Sequence, residues 1–159
     1  MKYVLRWDER PFTTNGERRL VPMQRAHLVK KWREAFRYLA VEANIPHYLR
    51  DVSIIVTPYY KDNRAVSDCG GVAPAAKAAI DGLVDANVME DDNPKFLKFL
   101  GFRAPVIGHG DGLELEIVGD LSEPPKRRRQ PSQKPKPRKV RSQFGRAVPG
   151  SDSRTSRRP

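Results

Sequence analysis

The apolar pattern of this chain stops at Asp120, and that boundary limits what can fold. Residues 1–120 hold 17 Lys and Arg against 17 Asp and Glu. Residues 121–159 hold the remaining 13 cations and 2 anions, so the whole formal charge of +11 lies in the last quarter. That segment carries Pro124-Pro125, Lys126-Arg127-Arg128-Arg129, then Lys134, Lys136, Arg138, Lys139 and Arg141 among Pro, Ser and Gln. Too few apolar side chains remain there to offset the entropy of ordering, so it reads as a disordered tail. Dense Lys and Arg without helical periodicity bind phosphates without reading bases. Engaging about 6 phosphates gives a salt slope of roughly −5 in log K against log salt. The Lys126–Arg129 run also fits a nuclear-localisation pattern, a low-information match.

Ahead of the boundary, hydrophobic periodicity outlines one domain, residues 1–120. Tyr3 to Trp7 is a short β-prone run followed by a turn-rich loop, Arg10 to Gly16. From Pro22 to Asn44 the residues Leu28, Trp32, Ala35, Phe36, Leu39 and Ala43 recur at helical spacing, and Pro46 helps to end the helix. Val52 to Tyr60 is rich in β-branched and aromatic residues, with Pro58 limiting ladder pairing near its end. Val72, Ala76, Ala79, Ile80 and Leu83 mark a second helix that ends near Asn87, with Pro74 tolerable in its first turn. Phe96 to Phe102 and Leu113 to Val118 read as two further strands, and Gly108-His109-Gly110-Asp111-Gly112 supplies a hairpin turn between them. The order β, α, β, α, β, β predicts an α/β (α+β) fold, a small mixed sheet with two main helices packed on it.

Cys69 is the only cysteine, which excludes an intrachain disulfide and a structural Cys-based zinc site. The N-terminus lacks the apolar run of a signal peptide, and no stretch approaches about 18 apolar residues. The expectation is a cytoplasmic protein with no membrane association.

Two groups of acids stand out within the domain. Asp68 lies in the polar loop before the second helix, and Glu90-Asp91-Asp92 follows that helix. If helix and strands pack in register, the two can meet at one end of the sheet. Convergent carboxylates suit a hard cation such as Mg²⁺, which prefers oxygen ligands and keeps open positions for water and phosphate. Solvated loop acids are the plainer reading of such groups. Lys77, Asp81 and Asp85 follow at i, i+4, i+8, consistent with an ordinary surface stripe of ion pairs. Alternatively, the Lys77 ammonium stabilises charge at a scissile phosphate. Asp62 is an alternative donor from the same loop, although a Lys-Asp-Asn-Arg turn accounts for it equally.

The run Lys77-Ala78-Ala79-Ile80-Asp81-Gly82-Leu83-Val84-Asp85-Ala86-Asn87-Val88-Met89-Glu90-Asp91-Asp92 resembles the signature of the RusA-like Holliday junction resolvases, of the phage and prophage type. That signature reads Lys-Ala-Ala-x-Asp-x-Leu, about five variable residues, then an Asp-Asp pair. Pro11-Phe12-Thr13-Thr14-Asn15 is similar to the family's N-terminal Pro and Asn loop, and the resemblance covers about three quarters of the chain. It implies a Mg²⁺-dependent crossover junction endodeoxyribonuclease that acts as a homodimer on branched DNA. Asp92 corresponds to the essential carboxylate and Lys77 to the active-site lysine; Asp91 is a neighbouring metal donor and Asn15 a contact to nucleic acid. The family's Asp-x-Asp-Asn places its acids where this chain has Gly71 and Ala73. Asp68, nine residues before Lys77, would then act as first carboxylate, catalytic and metal-binding.

His27, His47 and His109 lack metal-ligand spacing. Cys69 lacks a base nearby in sequence for nucleophilic work. Trp7, Phe12, Tyr59 and Tyr60 suit sheet packing as well as base stacking. Two other function classes stay open: a junction or nucleic-acid binder without catalysis, and an RNA-binding or assembly factor whose tail does all the binding. Metal-dependent turnover separates the first from a nuclease. Deletion of residues 121–159 separates the second.

Overall fold

A computed structural model of the chain describes residues 1–64 and 66–121; the basic positions Lys126, Arg127, Arg128, Arg129, Lys134, Lys136, Arg138, Lys139 and Arg141, and the disorder expected of that segment, lie outside them. The chain opens with strand β1 (Lys2–Trp7), a single helical turn α1 (Thr14–Glu17) and the long helix α2 (Pro22–Glu42). Strand β2 (Arg50–Tyr60), helix α3 (Ala73–Asp85), strands β3 (Leu97–Phe102) and β4 (Val106–Ile107), and strand β5 (Gly112–Asp120) follow.

The sheet runs β1-β5-β2-β3, with β4 also paired to β2. β5 is antiparallel to both β1 and β2, whereas β3 and β4 run parallel to β2. The β2-α3-β3 crossover is what a parallel pair requires, because two strands of one direction cannot be joined by a tight turn. Pro58 sits within β2 where the missing N–H does least harm. The β3 ladder has ended at Val56, and the β4 ladder begins at Tyr59.

Alternation along the strands sends Leu5, Val52, Ile54, Val56, Leu113, Leu115 and Ile117 into one core with Trp32 and Phe36 of α2 and Ala76, Ala79, Ile80 and Leu83 of α3. The opposite face leaves Val4, Phe99 and Val118 exposed. The two helices approach closely at Gly82, where a Cβ would run into the Arg33 carbonyl oxygen and stand 3.0 Å from the Arg37 nitrogen. Arg33 also grips Asp85 across this seam, with Nη2 donating to Oδ1 at 2.6 Å.

The mixed sheet with helices packed on it is the expected fold. Two local expectations fail. Gly108 to Gly112 does not turn a hairpin between neighbours, because β2 lies between β3 and β5 and the segment instead leads from β4 to β5. Parallel pairing of the two-residue β4 with Tyr59 and Tyr60 is too short to leave a periodic signature. The Arg10–Gly16 segment is not wholly loop either, since Thr13 caps α1 by accepting from the Gly16 N–H at 3.1 Å.

Candidate active site

Helix α3 carries its apolar residues against the sheet and α2, which leaves Lys77 on the outer face with its side chain 58% exposed. Asp81 follows one turn later and accepts a hydrogen bond from Lys77 Nζ at 2.7 Å. The same ammonium donates to Asp92 Oδ2. Lys77 thus ties α3 to the loop that follows it.

That loop is fixed at both ends by burial. Val88 and Met89 sit in the core at its start, and Phe96 is buried at its end. Backbone bonds from Tyr48 N–H to the Asn87 carbonyl (2.8 Å), Leu49 N–H to that of Val88 (2.7 Å) and Val52 N–H to that of Phe96 (2.8 Å) fasten it to the start of β2. Tyr48 and Asn87 both take left-handed φ, 61° and 59°, at the first of these crossings. Between the anchors Asp91 shapes the turn: Oδ1 accepts from the Asp92 N–H at 2.8 Å and Oδ2 from Asn93 Nδ2 at 2.6 Å. Asn93 Oδ1 in turn accepts from the Lys95 N–H at 2.9 Å, an Asx turn that continues the loop beyond Asp92. The Asp91 carboxylate, expected as a metal donor, has both oxygens engaged in the loop.

These contacts set the protonation states. Burial works to lower the Lys77 pKa, but hydrogen bonds to Asp81 and Asp92 outweigh it, and the ammonium is held above its ordinary value. The hydrogen bond from Lys77 holds the Asp92 carboxyl below its ordinary value, against the opposing effect of burial. The pair is therefore ionised at neutral pH, as a cation site and a phosphate-facing lysine both require.

Asp68 occupies a second setting. A cavity of about 600 Å³ is lined by Thr13, Thr14 and Asn15 on one side and by Val66 to Gly71 on the other, so Asn15 and Asp68 share it. The two loops are joined by the Thr14 N–H donating to the Gly71 carbonyl at 3.0 Å. A side chain at Gly71 would have to displace its neighbours' side chains: an added Cβ would overlap Ser67 Oγ and lie 2.7 Å from Asp68 Oδ1. The Ser67 hydroxyl thus fills the space that a Cβ at residue 71 would take, with the Asp68 carboxylate beside it, at a position where the resemblance leads one to expect an acid. Among the described residues the ion pairs of Lys77 are with Asp81 and Asp92 and not with Asp68, and no three His, Cys, Asp or Glu side chains form a group able to hold a metal.

The sequence matches no protein-family model and no curated protein. Among solved structures, the periplasmic domain of Helicobacter pylori MotB matches over 74% of this chain and 81% of that one, at 15% sequence identity and a TM-score of 0.31, a likeness too distant to bear on function.

The remaining candidates fall into place around these two settings. Asp62 Oδ1 accepts from the Arg64 N–H at 2.8 Å, the local turn that its sequence context suggests. Asp85 leaves the Lys77–Asp81 stripe and pairs with Arg33 of α2. Cys69 is an exposed free thiol on the cavity wall. Tyr60 is buried, and burial raises the pKa of its hydroxyl against the opposing effects of Ser67 and Arg10. Sequence reasoning treated Asp81 as a surface acid, although its spacing from Lys77 within the motif was the available signal. It did not single out Thr13, Thr14 or Ser67 for the cavity.

Proposed function

We propose that this chain is a Mg²⁺-dependent, structure-selective endodeoxyribonuclease that resolves four-way DNA junctions as a homodimer. The observation that carries the reading is the contact between Lys77 and Asp92. They are the lysine and carboxylate singled out by the resemblance, fifteen positions apart, and they meet on an open surface with the ammonium facing solvent. The Asp68 carboxylate beside Gly71 supports it as the substitute first acid.

Magnesium is commonly held by one or two carboxylates, with water and substrate phosphate completing its octahedron. Asp92 and Asp68 offer hard oxygen donors of that kind and would hold it, with Asp91 buttressing the loop or adding an oxygen. When bound, the ion supplies a water of lowered pKa and stabilises charge on the phosphate. Lys77, kept protonated by its two carboxylates, hydrogen-bonds a non-bridging phosphate oxygen as charge develops. Asn15, in the cavity lining, orients the sugar-phosphate backbone there. The basic residues Lys126 to Arg129, Lys134, Lys136, Arg138, Lys139 and Arg141 hold flanking DNA through phosphates, without sequence preference. Symmetric nicks need two such sites related by a two-fold axis, hence a homodimer.

A second reading, a junction or nucleic-acid binder without catalysis, draws on Gly71 and Ala73 at the family's acid positions and on the missing three-ligand group among the described residues. Cleavage of a synthetic four-way junction, against linear duplex of equal length, with Mg²⁺ or EDTA, decides between them. Paired nicks are expected in Mg²⁺ alone, lost in Asp92→Asn with binding retained. Tight junction binding without any cutting leaves the second reading.

A further inference from the structure

We propose that Asp81 is a positioning residue for Lys77: it holds the lysine ammonium at the mouth of the site after Asp92 turns to another cation. The task assigned to Lys77 rests on the nuclease reading; the geometry that assigns Asp81 does not.

Lys77 Nζ has two carboxylate partners of unlike origin. Asp81 sits on the same helix one turn further on, at 2.7 Å, so the helix itself fixes that pair. Asp92 belongs to the following loop. The two carboxylates are drawn in against the protein, with side chains 27% and 29% exposed, while the lysine is 58% exposed. A divalent cation that takes the Asp92 oxygens removes one of the two partners. A long, flexible lysine left with none would spread over many rotamers and meet a phosphate only by chance. With Asp81 in place the ammonium keeps its position, and the negative charge of Asp81 offsets the repulsion between Lys77 and the incoming cation. Asp81 needs no contact with substrate or metal to do this.

The test uses the full chain with ¹⁵N-labelled lysine. In metal-free protein the Lys77 ammonium, assigned with Lys77→Arg, should give a slowly exchanging, hydrogen-bonded signal. The signal should persist in Asp92→Asn and in wild type titrated with Mg²⁺, disappear when Asp81→Ala is added to Asp92→Asn, and return when Asp81→Glu replaces that alanine. Alanine is the best helix former, so α3 should survive the substitution; an unchanged Tm checks this, and Asp81→Ser serves if it does not. On four-way junctions Asp81→Ala should lower kcat on the order of tenfold with KM unchanged, as misplacement of a charged group does. A signal that vanishes in Asp92→Asn alone, or survives the double variant, overturns the proposal, as does an unaltered kcat. If wild type cuts no junction, the nuclease reading fails by itself, and the ammonium signal still decides whether Asp81 holds Lys77.

Discussion

Asp92 and Asp68 are the two acids on which a cation site would rest, and the fold treats them differently. Asp92 follows two core residues, sits in a turn built by Asp91 and Asn93, and ends on Lys77. Asp68 is exposed on the wall of a cavity of about 600 Å³, in a loop joined to its neighbour by the backbone bond from Thr14 to Gly71. The first carboxylate is placed by folding. The second is placed by what shares its loop, chiefly Ser67 and the bare Gly71, and catalytic contacts on such loops commonly tighten only when the substrate arrives. Under the proposed nuclease function, one acid would be pre-set and the other adaptable.

The largest expected difference tests that division. Asp92→Asn should reduce junction cleavage on the order of 10² to 10³, the range for losing one preorganised charged group. Asp68→Asn should reduce it about tenfold, the lower end for a group that tunes metal affinity, and should be partly recovered by raising Mg²⁺. Gly71→Ala should imitate Asp68→Asn with little loss of stability, because the added methyl meets only side-chain ends. Equal losses at both acids, in assays of kcat/KM at two Mg²⁺ concentrations, would break the comparison.

The same contrast explains what the sequence made legible. Helices α2 and α3 and strands β1, β2 and β5 follow from periodicity, because each buries one face against a common core, whereas β3, with only Leu97 and Phe102 partly buried, follows from its apolar and aromatic run. The partner of each strand does not, since register and order depend on contacts between distant segments. The β2 insertion between β3 and β5 is such a case, and it undid the expected hairpin at Gly108 to Gly112. At the site, Lys77 and Asp92 were legible as a motif, and their contact follows from a loop anchored by Val88, Met89 and Phe96. The link of Asp85 to Arg33 was hidden because it joins residues 52 positions apart on two helices. The place of Asp68 against Gly71 was hidden too, because it depends on the backbone of a loop without a repeating pattern.

A smaller effect should come from Gly82, which seats the helix that carries Lys77 and Asp81. Alanine would gain about 1 kcal/mol in helix propensity. Its methyl, however, would press on the Arg33 backbone, which cannot step aside as a side chain can. Overpacking of this kind costs typically about 1–3 kcal/mol, so Gly82→Ala should lower the urea midpoint at constant m despite the better helix former. Cleavage by the folded fraction should fall for Asp92-dependent steps while the Asp68 cavity stays unaltered. An unchanged or higher midpoint would mean that the two helices are not pressed together at this point.

The smallest effect concerns the Arg33–Asp85 pair across the same seam. Its hydrogen bond to Arg33 depresses the Asp85 carboxyl below the ordinary 3.8, against a smaller opposing effect of burial. A depressed folded value means that the pair stabilises fully above the unfolded carboxylate range and is lost as pH falls through the lower folded value. The side chains are 45% and 33% exposed, so screening by solvent reduces the contribution to a few tenths of a kcal/mol. Asp85→Asn should therefore lower Tm slightly at pH 6, with the gap closing as pH falls below the ordinary carboxylate range and shrinking in 1 M salt. Junction cleavage at pH 7 should be nearly unchanged, because Lys77 takes its partners from Asp81 and Asp92. If cleavage falls along with Tm, the placement of the pre-set acid depends on this ion pair and not only on the buried ends of its loop.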